Sequence, residues 1–205
     1  MKYIYIIIIA GLMSCLVYFV LINKEYQICT SKMITNTLNA LEIEKNRGLL
    51  KDSFLNLELK YNDTKISEKL ILTDEKGTEY KIKEKLNTKK IVFRYSELQC
   101  NVCVEKQIES LKKYKDKIGI DNILILADYS NYRNLILFKR MNSLDIPVYN
   151  LSKKLSLELE KKDLPYFFIL DNSLIAKDYF IPIKEIKNYT DNYLNIMYTK
   201  HFKNK

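Results

Sequence analysis

The sequence has no tryptophan, four glycines, three prolines and one histidine. Only four of its 34 Lys and Arg residues are arginines, namely Arg47, Arg94, Arg133 and Arg140. Arginine forks read phosphate and guanine best, and the lysines run from Lys24 to Lys205 mixed with Glu and Asp in the manner of solvated faces. The net charge of +9 therefore does not point to a nucleic-acid partner. The one histidine, His201, stands four residues from the C-terminus and reads as a solvated tail residue. Without it, and without a second closely spaced cysteine pair, a four-ligand zinc or iron–sulfur set has no source, so no metal is expected. The sixteen tyrosines lack a glycine-rich or arginine-rich context, which suits core and interface packing better than a stacking platform. No internal repeat or low-complexity linker interrupts the chain.

What is present is a globular balance, 47% hydrophobic and 29% charged over 205 residues, enough for one ordinary domain and an appendage. The appendage is N-terminal. Residues 3–22, "YIYIIIIAGLMSCLVYFVLI", carry no charge, and twenty helical residues at 1.5 Å each cross a hydrocarbon core of about 30 Å. We read residues 1–23 as an uncleaved membrane anchor. A cleaved signal peptide would need a small-residue cleavage site, which "NKEYQICTSK" does not offer. A lipid-attachment box "LMSC" with Cys15 acylated would turn polar after the cysteine, whereas seven more apolar positions follow. Lys2 on one side and Lys24 and Lys32 on the other leave orientation undecided by charge. Residues 24–53 read as a juxtamembrane helical stalk, with Met33, Leu38, Leu41 and Ile43 at loosely helical spacing. Cys29 reads as a free thiol or as a cross-link between two anchored chains.

A domain is expected from residue 54 to 205. "FLNLELKYN" (54–62) alternates like a half-buried strand, and "KLILTDEKGTEYKIKEKL" (69–86) places a hairpin turn at Asp74 to Gly77. "KIVFRYS" (90–96) suits a central strand. Val104, Ile108, Leu111, Tyr114 and Ile118 then recur at three- and four-residue steps, a helix that opens at Cys100 and ends near Gly119. A strand at 122–130, a helix through Leu135, Ile136, Phe138 and Met141, and a strand at 146–151 complete a β-α-β-α-β order, which builds a parallel sheet. Residues 156–163 suggest a short helix, and 164–181 an antiparallel hairpin turning at Asp171 to Ser173. Ile183, Ile186, Tyr193, Ile196 and Met197 fit a closing helix that Pro182 would start.

The chemistry centres on "QCNVCVEKQI", residues 99–108. Cysteines at i and i+3, the first at a helix N-terminus, bring two sulfurs to one side of the first turn, where unpaired amides and the helix dipole favour a thiolate. Cys100, the outer thiol, would attack a disulfide, and Cys103 would resolve the mixed disulfide. The same spacing is open to a metal clip or to a disulfide that braces the helix start; so short a loop removes little unfolded-state entropy, so the brace would stabilise little.

Taken together, the hairpin, the apolar strand, C-x-x-C opening a helix, the inserted β-α-β and the proline before "YFFILD" resemble the thioredoxin-like superfamily. The inserted unit makes residues 54–200 most similar to membrane-anchored redoxins of the TlpA and ResA type. That resemblance implies an α/β thioredoxin-like three-layer sandwich with an N-terminal β-hairpin and an inserted β-α-β unit, preceded by one transmembrane helix. It implies a thiol–disulfide oxidoreductase on the extracytoplasmic (periplasmic) side of the cytoplasmic membrane, with protein dithiols as partners and no diffusible cofactor. It also implies a cis Pro165, preceded by a substrate-presenting Leu164, 65 positions after Cys100. Cis is the minority form, about 5–6% of such bonds. The chain departs from the family pattern at Gln99, where tryptophan is usual, at Asn101 and Val102 between the cysteines, and at Arg94, which replaces a buried acid or amide. Glu97 and Glu105 are then the available bases for Cys103, and Arg94 would favour thiolates if it turned toward them. Copper-binding relatives need a downstream histidine. A tethered binding module with a non-catalytic disulfide is the alternative.

Overall fold

The computed structural model describes residues 2–151, 153–155 and 157–203; of residues 2–12, 14, 15, 17, 26, 28, 29 and 158 it describes the backbone alone. Most of the expected span, together with Cys15 and Cys29, therefore lies outside the described side chains. Among the described residues no helix is long and apolar enough to cross a membrane. The chain divides into two compact units, Met1–Leu50 and Lys51–Lys205.

The first unit is helical. Helix α1 spans Lys2–Tyr61, so its last turns belong to the second unit and occupy the segment expected to be a strand. The alternation of Phe54, Leu55, Leu57 and Leu59 is misleading, because a short apolar run does not separate strand from helix. In the second unit Phe54, Leu57 and Tyr61 share one helical face and pack into the core, while Leu55 and Leu59 stay exposed. Leu, Lys and Glu favour that outcome.

The second unit is built on one eight-stranded sheet in the order β1-β8-β7-β4-β5-β6-β2-β3. Its strands are β1 (Thr64–Lys65), β2 (Ile71–Thr73), β3 (Glu79–Lys81), β4 (Lys90–Ser96), β5 (Ile123–Asp128), β6 (Val148–Leu151), β7 (Tyr166–Leu170) and β8 (Ile175–Phe180). β2 and β3 form the expected hairpin, closed where Gly77 adopts φ 81° and donates to the Asp74 carbonyl at 3.0 Å. β4, β5 and β6 are parallel, joined by α2 (Asn101–Ile118) and α3 (Tyr132–Met141). β7 runs antiparallel to β4 with Arg94 opposite Tyr166.

Side-chain alternation along these strands divides the core in two. Ile91, Phe93 and Tyr95 face α2, α3 and the closing helix α4 (Tyr189–His201) through Val104, Ile108, Leu135, Leu194 and Met197. Val92, Leu124, Leu126 and Phe168 face the other way, against Leu155, Leu157, Leu159 and the end of α1. The layer on that side is thus made of loops, short 3-10 turns and the last turns of α1. The segment 156–163 contributes one such turn, Glu158–Lys161.

The closing helix starts later than its apolar spacing suggests. Ile183 and Ile186 lie in the preceding loop, Pro182 is seven positions ahead of the helix, and Ile196 is exposed. Asn188, left-handed at φ 57°, ends that loop. His201 is not a solvated tail residue: it sits in the last turn of α4, with Nε2 2.8 Å from Asp178 Oδ2 and Nδ1 3.1 Å from Lys89 Nζ. Tyr95, Tyr166 and Tyr193 are buried, as core tyrosines.

Candidate functional site

β4 ends at Ser96, and a tight turn carries the chain into α2, with the Gln99 amide donating to the Ser96 carbonyl and the Ser96 amide to Gln99 Oε1 at 3.2 Å each. Cys100 occupies the N-cap of α2 and is exposed; Cys103, three residues on, is half-buried, and both are free thiols. The Cys100 sulfur stops short of a regular side-chain cap. Its thiol is held below the ordinary thiol range first by the Cys103 thiol, then by the Cys103 amide, with the Lys184 ammonium assisting. Cys103 is pushed up, first by burial and then by the Cys100 sulfur beside it. The two thiols are therefore unequal in the direction that a nucleophile and a resolving group require.

Lys184 and Glu185, in the loop between β8 and α4, have opposite effects on Cys103, lowering and raising it. Lys184 is held by its own backbone, whose carbonyl accepts from Lys106 Nζ of α2 at 3.1 Å. Sequence reasoning missed both residues. No local signal brings a loop some eighty positions downstream against the cysteine helix.

The other expected site residues are scattered. Arg94 is 2% exposed and turns away from α2, into the opposite core face. Its Nε and Nη2 form a fork on Glu160, at 2.9 and 2.7 Å, and Nη1 donates to the Tyr95 and Leu126 carbonyls. Glu97 accepts from the Ser130 hydroxyl and from the Ser130 amide at 2.8 Å, contacts that hold its carboxyl below the usual range and tie the end of β4 to the loop after β5. Glu105 is half-buried on α2, two positions past Cys103.

Pro165 is buried immediately before β7, and continuing the β4–β7 register sets it opposite Tyr95, at the same end of the sheet as the cysteine turn. The expected cis bond is a correction: no described peptide bond is cis, and Leu164–Pro165 is trans. Trans remains favoured by about 0.5–1 kcal/mol even before proline, and the chain enters β7 directly from it. Leu164 and Gln99, the residues that precede Pro165 and Cys100, line one small polar crevice together with Arg94, Ser96, Asp128 and Glu160. The Ser96 hydroxyl is buried there without a partner. Among the described residues no group of three or more His, Cys, Asp or Glu could hold a metal ion.

A sheet of this order, with C-x-x-C opening the helix after its central strand, defines the class of the domain as thioredoxin-like. No family model and no curated protein sequence matches the chain. Solved structures do. PrxQ from Xylella fastidiosa, as a cysteine-to-serine mutant, superposes with a TM-score of 0.53 at 9% identity over 68% of this chain and 96% of its own. Peroxidoxin BcpB from Mycobacterium tuberculosis gives 0.52 at 12%, over 68% and 94%. The bacterioferritin comigratory protein of Xanthomonas campestris, described for alkyl peroxide reduction, gives 0.51 at 11%, over 65% and 92%. At such identities the likeness is one of fold: the domain has a thioredoxin-like fold.

Proposed function

We propose that the chain is a thiol–disulfide oxidoreductase that exchanges electrons with protein disulfides. The observation that carries this reading is the pair at the start of α2, an exposed Cys100 at the N-cap beside a half-buried Cys103 one turn on; the lowered Cys100 and raised Cys103 pKa directions agree with it. In the reducing direction the Cys100 thiolate attacks one sulfur of a partner disulfide. The partner S–S bond breaks, a Cys100–partner disulfide forms, and the expelled partner sulfur takes up a proton. Cys103 then loses its proton and attacks Cys100 Sγ. This closes the Cys100–Cys103 disulfide, frees the second partner thiol and transfers two electrons in all. We assign the presentation of an extended partner segment to Leu164 and Pro165; the support is their place immediately before β7, at the same end of the sheet as the cysteine turn.

The decisive experiment equilibrates the full chain in glutathione buffers of graded ratio and traps partners with Cys103→Ser. Reversible oxidation of the pair together with mixed disulfides through Cys100 supports the reading; a pair that stays oxidised and captures nothing overturns it. One observation favours the second reading, a binding module without turnover: Arg94 is committed to Glu160, so the buried group that would deprotonate Cys103 in relatives has no counterpart at that position.

We also propose that residues 3–22 anchor the protein and that the domain works on the extracytoplasmic side. The support is the uncharged run in the sequence and the resemblance to tethered redoxins. Carbonate extraction of membranes from expressing cells, with protease accessibility of the domain in intact spheroplasts, tests both.

A further inference from the structure

Three segments converge behind the cysteine turn. Arg94 lies on β4, Glu160 in the 3-10 turn Glu158–Lys161, and Tyr166 at the start of β7. Glu160, with a side chain 7% exposed, accepts Arg94 Nη2 at 2.7 Å on one oxygen. Its other oxygen accepts Arg94 Nε at 2.9 Å and the Tyr166 hydroxyl at 2.6 Å. The guanidinium reaches Asp128 Oδ2 at 3.5 Å as well, so none of its nitrogens is idle. A fork of this kind fixes direction as well as distance. Glu160 and Tyr166 bracket Leu164 and Pro165, and both are tied to the strand that delivers Cys100.

We infer that Glu160, gripped by Arg94 and Tyr166, is a positioning residue that sets the Leu164–Pro165 segment beside the cysteine pair for docking of a partner chain. This rests on the oxidoreductase reading. The cation stands on β4 and the acid on the loop side, so the pair joins the central strand to the loop that leads into β7. Glu160 touches neither sulfur, so its effect belongs to partner binding.

The test uses the full chain with Glu160→Gln, which keeps the shape and removes the charge, and Tyr166→Phe, which keeps the ring on Phe168 and Tyr179 and removes only the hydroxyl. Two readouts are taken, hydrogen exchange of the Leu164 and Tyr166 amides and steady-state reduction of a protein disulfide. We expect faster exchange in that segment and a roughly tenfold rise in KM with kcat little changed, since misplacement of a docking element weakens binding before chemistry. The pH profile of Cys100 alkylation should not move. A lowered thermal midpoint with exchange and KM unaltered would make the cluster merely structural and overturn the inference, as would loss of kcat with a shifted alkylation profile. Should Glu160→Gln fail to fold, Tyr166→Phe carries both readouts. If the wild-type chain reduces no disulfide the oxidoreductase reading falls, and unchanged exchange in the variants would separately overturn the clamp.

Discussion

Thr190 Oγ donates to Gln107 Oε1 at 2.6 Å inside the packing of α4 on α2, and Gln107 Nε2 donates in turn to the Cys103 carbonyl at 3.1 Å. Both residues are buried, at 8% and 2% exposure, so the closing helix is hydrogen-bonded to the turn that holds the second cysteine. Thr190→Val keeps the volume and strands the amide oxygen, at a cost of about 1–3 kcal/mol. For a unit of this size the thermal midpoint should fall by roughly 2–4 °C per kcal/mol, readable by calorimetry; no change would mean that water replaces the hydroxyl.

The thiol pair makes a second prediction. Since the Cys103 thiol is the main influence favouring the Cys100 thiolate, Cys103→Ala should move the midpoint of Cys100 alkylation to higher pH. Lys184→Gln should move it in the same direction by less. Iodoacetamide rates from pH 5 to 10 measure both, and a midpoint indifferent to Cys103 contradicts the geometry.

Glu58 links pH to the seating of α1's last turn in the domain. Its carboxylate accepts the Ile181 amide at 2.7 Å, yet burial pushes its pKa from 4.5 up to about 7. The folded pKa is the higher, so the neutral form is the one the fold prefers. Stability from this site is complete below about pH 4.5 and is lost as pH rises through about 7. Glu58→Gln should flatten the decline in thermal midpoint between pH 5 and 8; a decline of the same slope in the variant would exclude Glu58 as its source.

Arg94→Met leaves the Glu160 carboxylate buried without its cation, which should cost about 3–5 kcal/mol in urea unfolding. Adding Glu160→Leu removes the orphaned charge and should recover most of that loss. Equal instability of the single and double variants would show that the orphaned carboxylate is not the source of the loss, and would assign it to the Tyr95 and Leu126 carbonyls that Arg94 also serves.

Much of the site's local framework is legible in the chain. β4 at 90–96 and the helix from Cys100 to Gly119 follow from an apolar run and from 3.6-residue spacing, both local properties, and Gly119 at φ 86° closes that helix as a C-cap glycine does. The segment 54–62 misled because four leucine and phenylalanine positions satisfy two periods at once, and only the core they meet selects the helical one. The proline isomer, the late start of α4 and the pairing of the half-buried His201 with Asp178 are likewise set by what each segment packs against.

That two thiols stand at a helix start follows from local chain properties alone, because cap, dipole and spacing act within one turn. Their neighbours, and the pair on the opposite face of β4, are set by the fold: Lys184 arrives from beyond β8, Thr190 reaches Gln107 across 83 positions, and Glu160 reaches Arg94 across 66. Such partners are chosen by the order of strands in the sheet, and hydrogen-bonding groups with no regular spacing between them leave no period in the sequence to read.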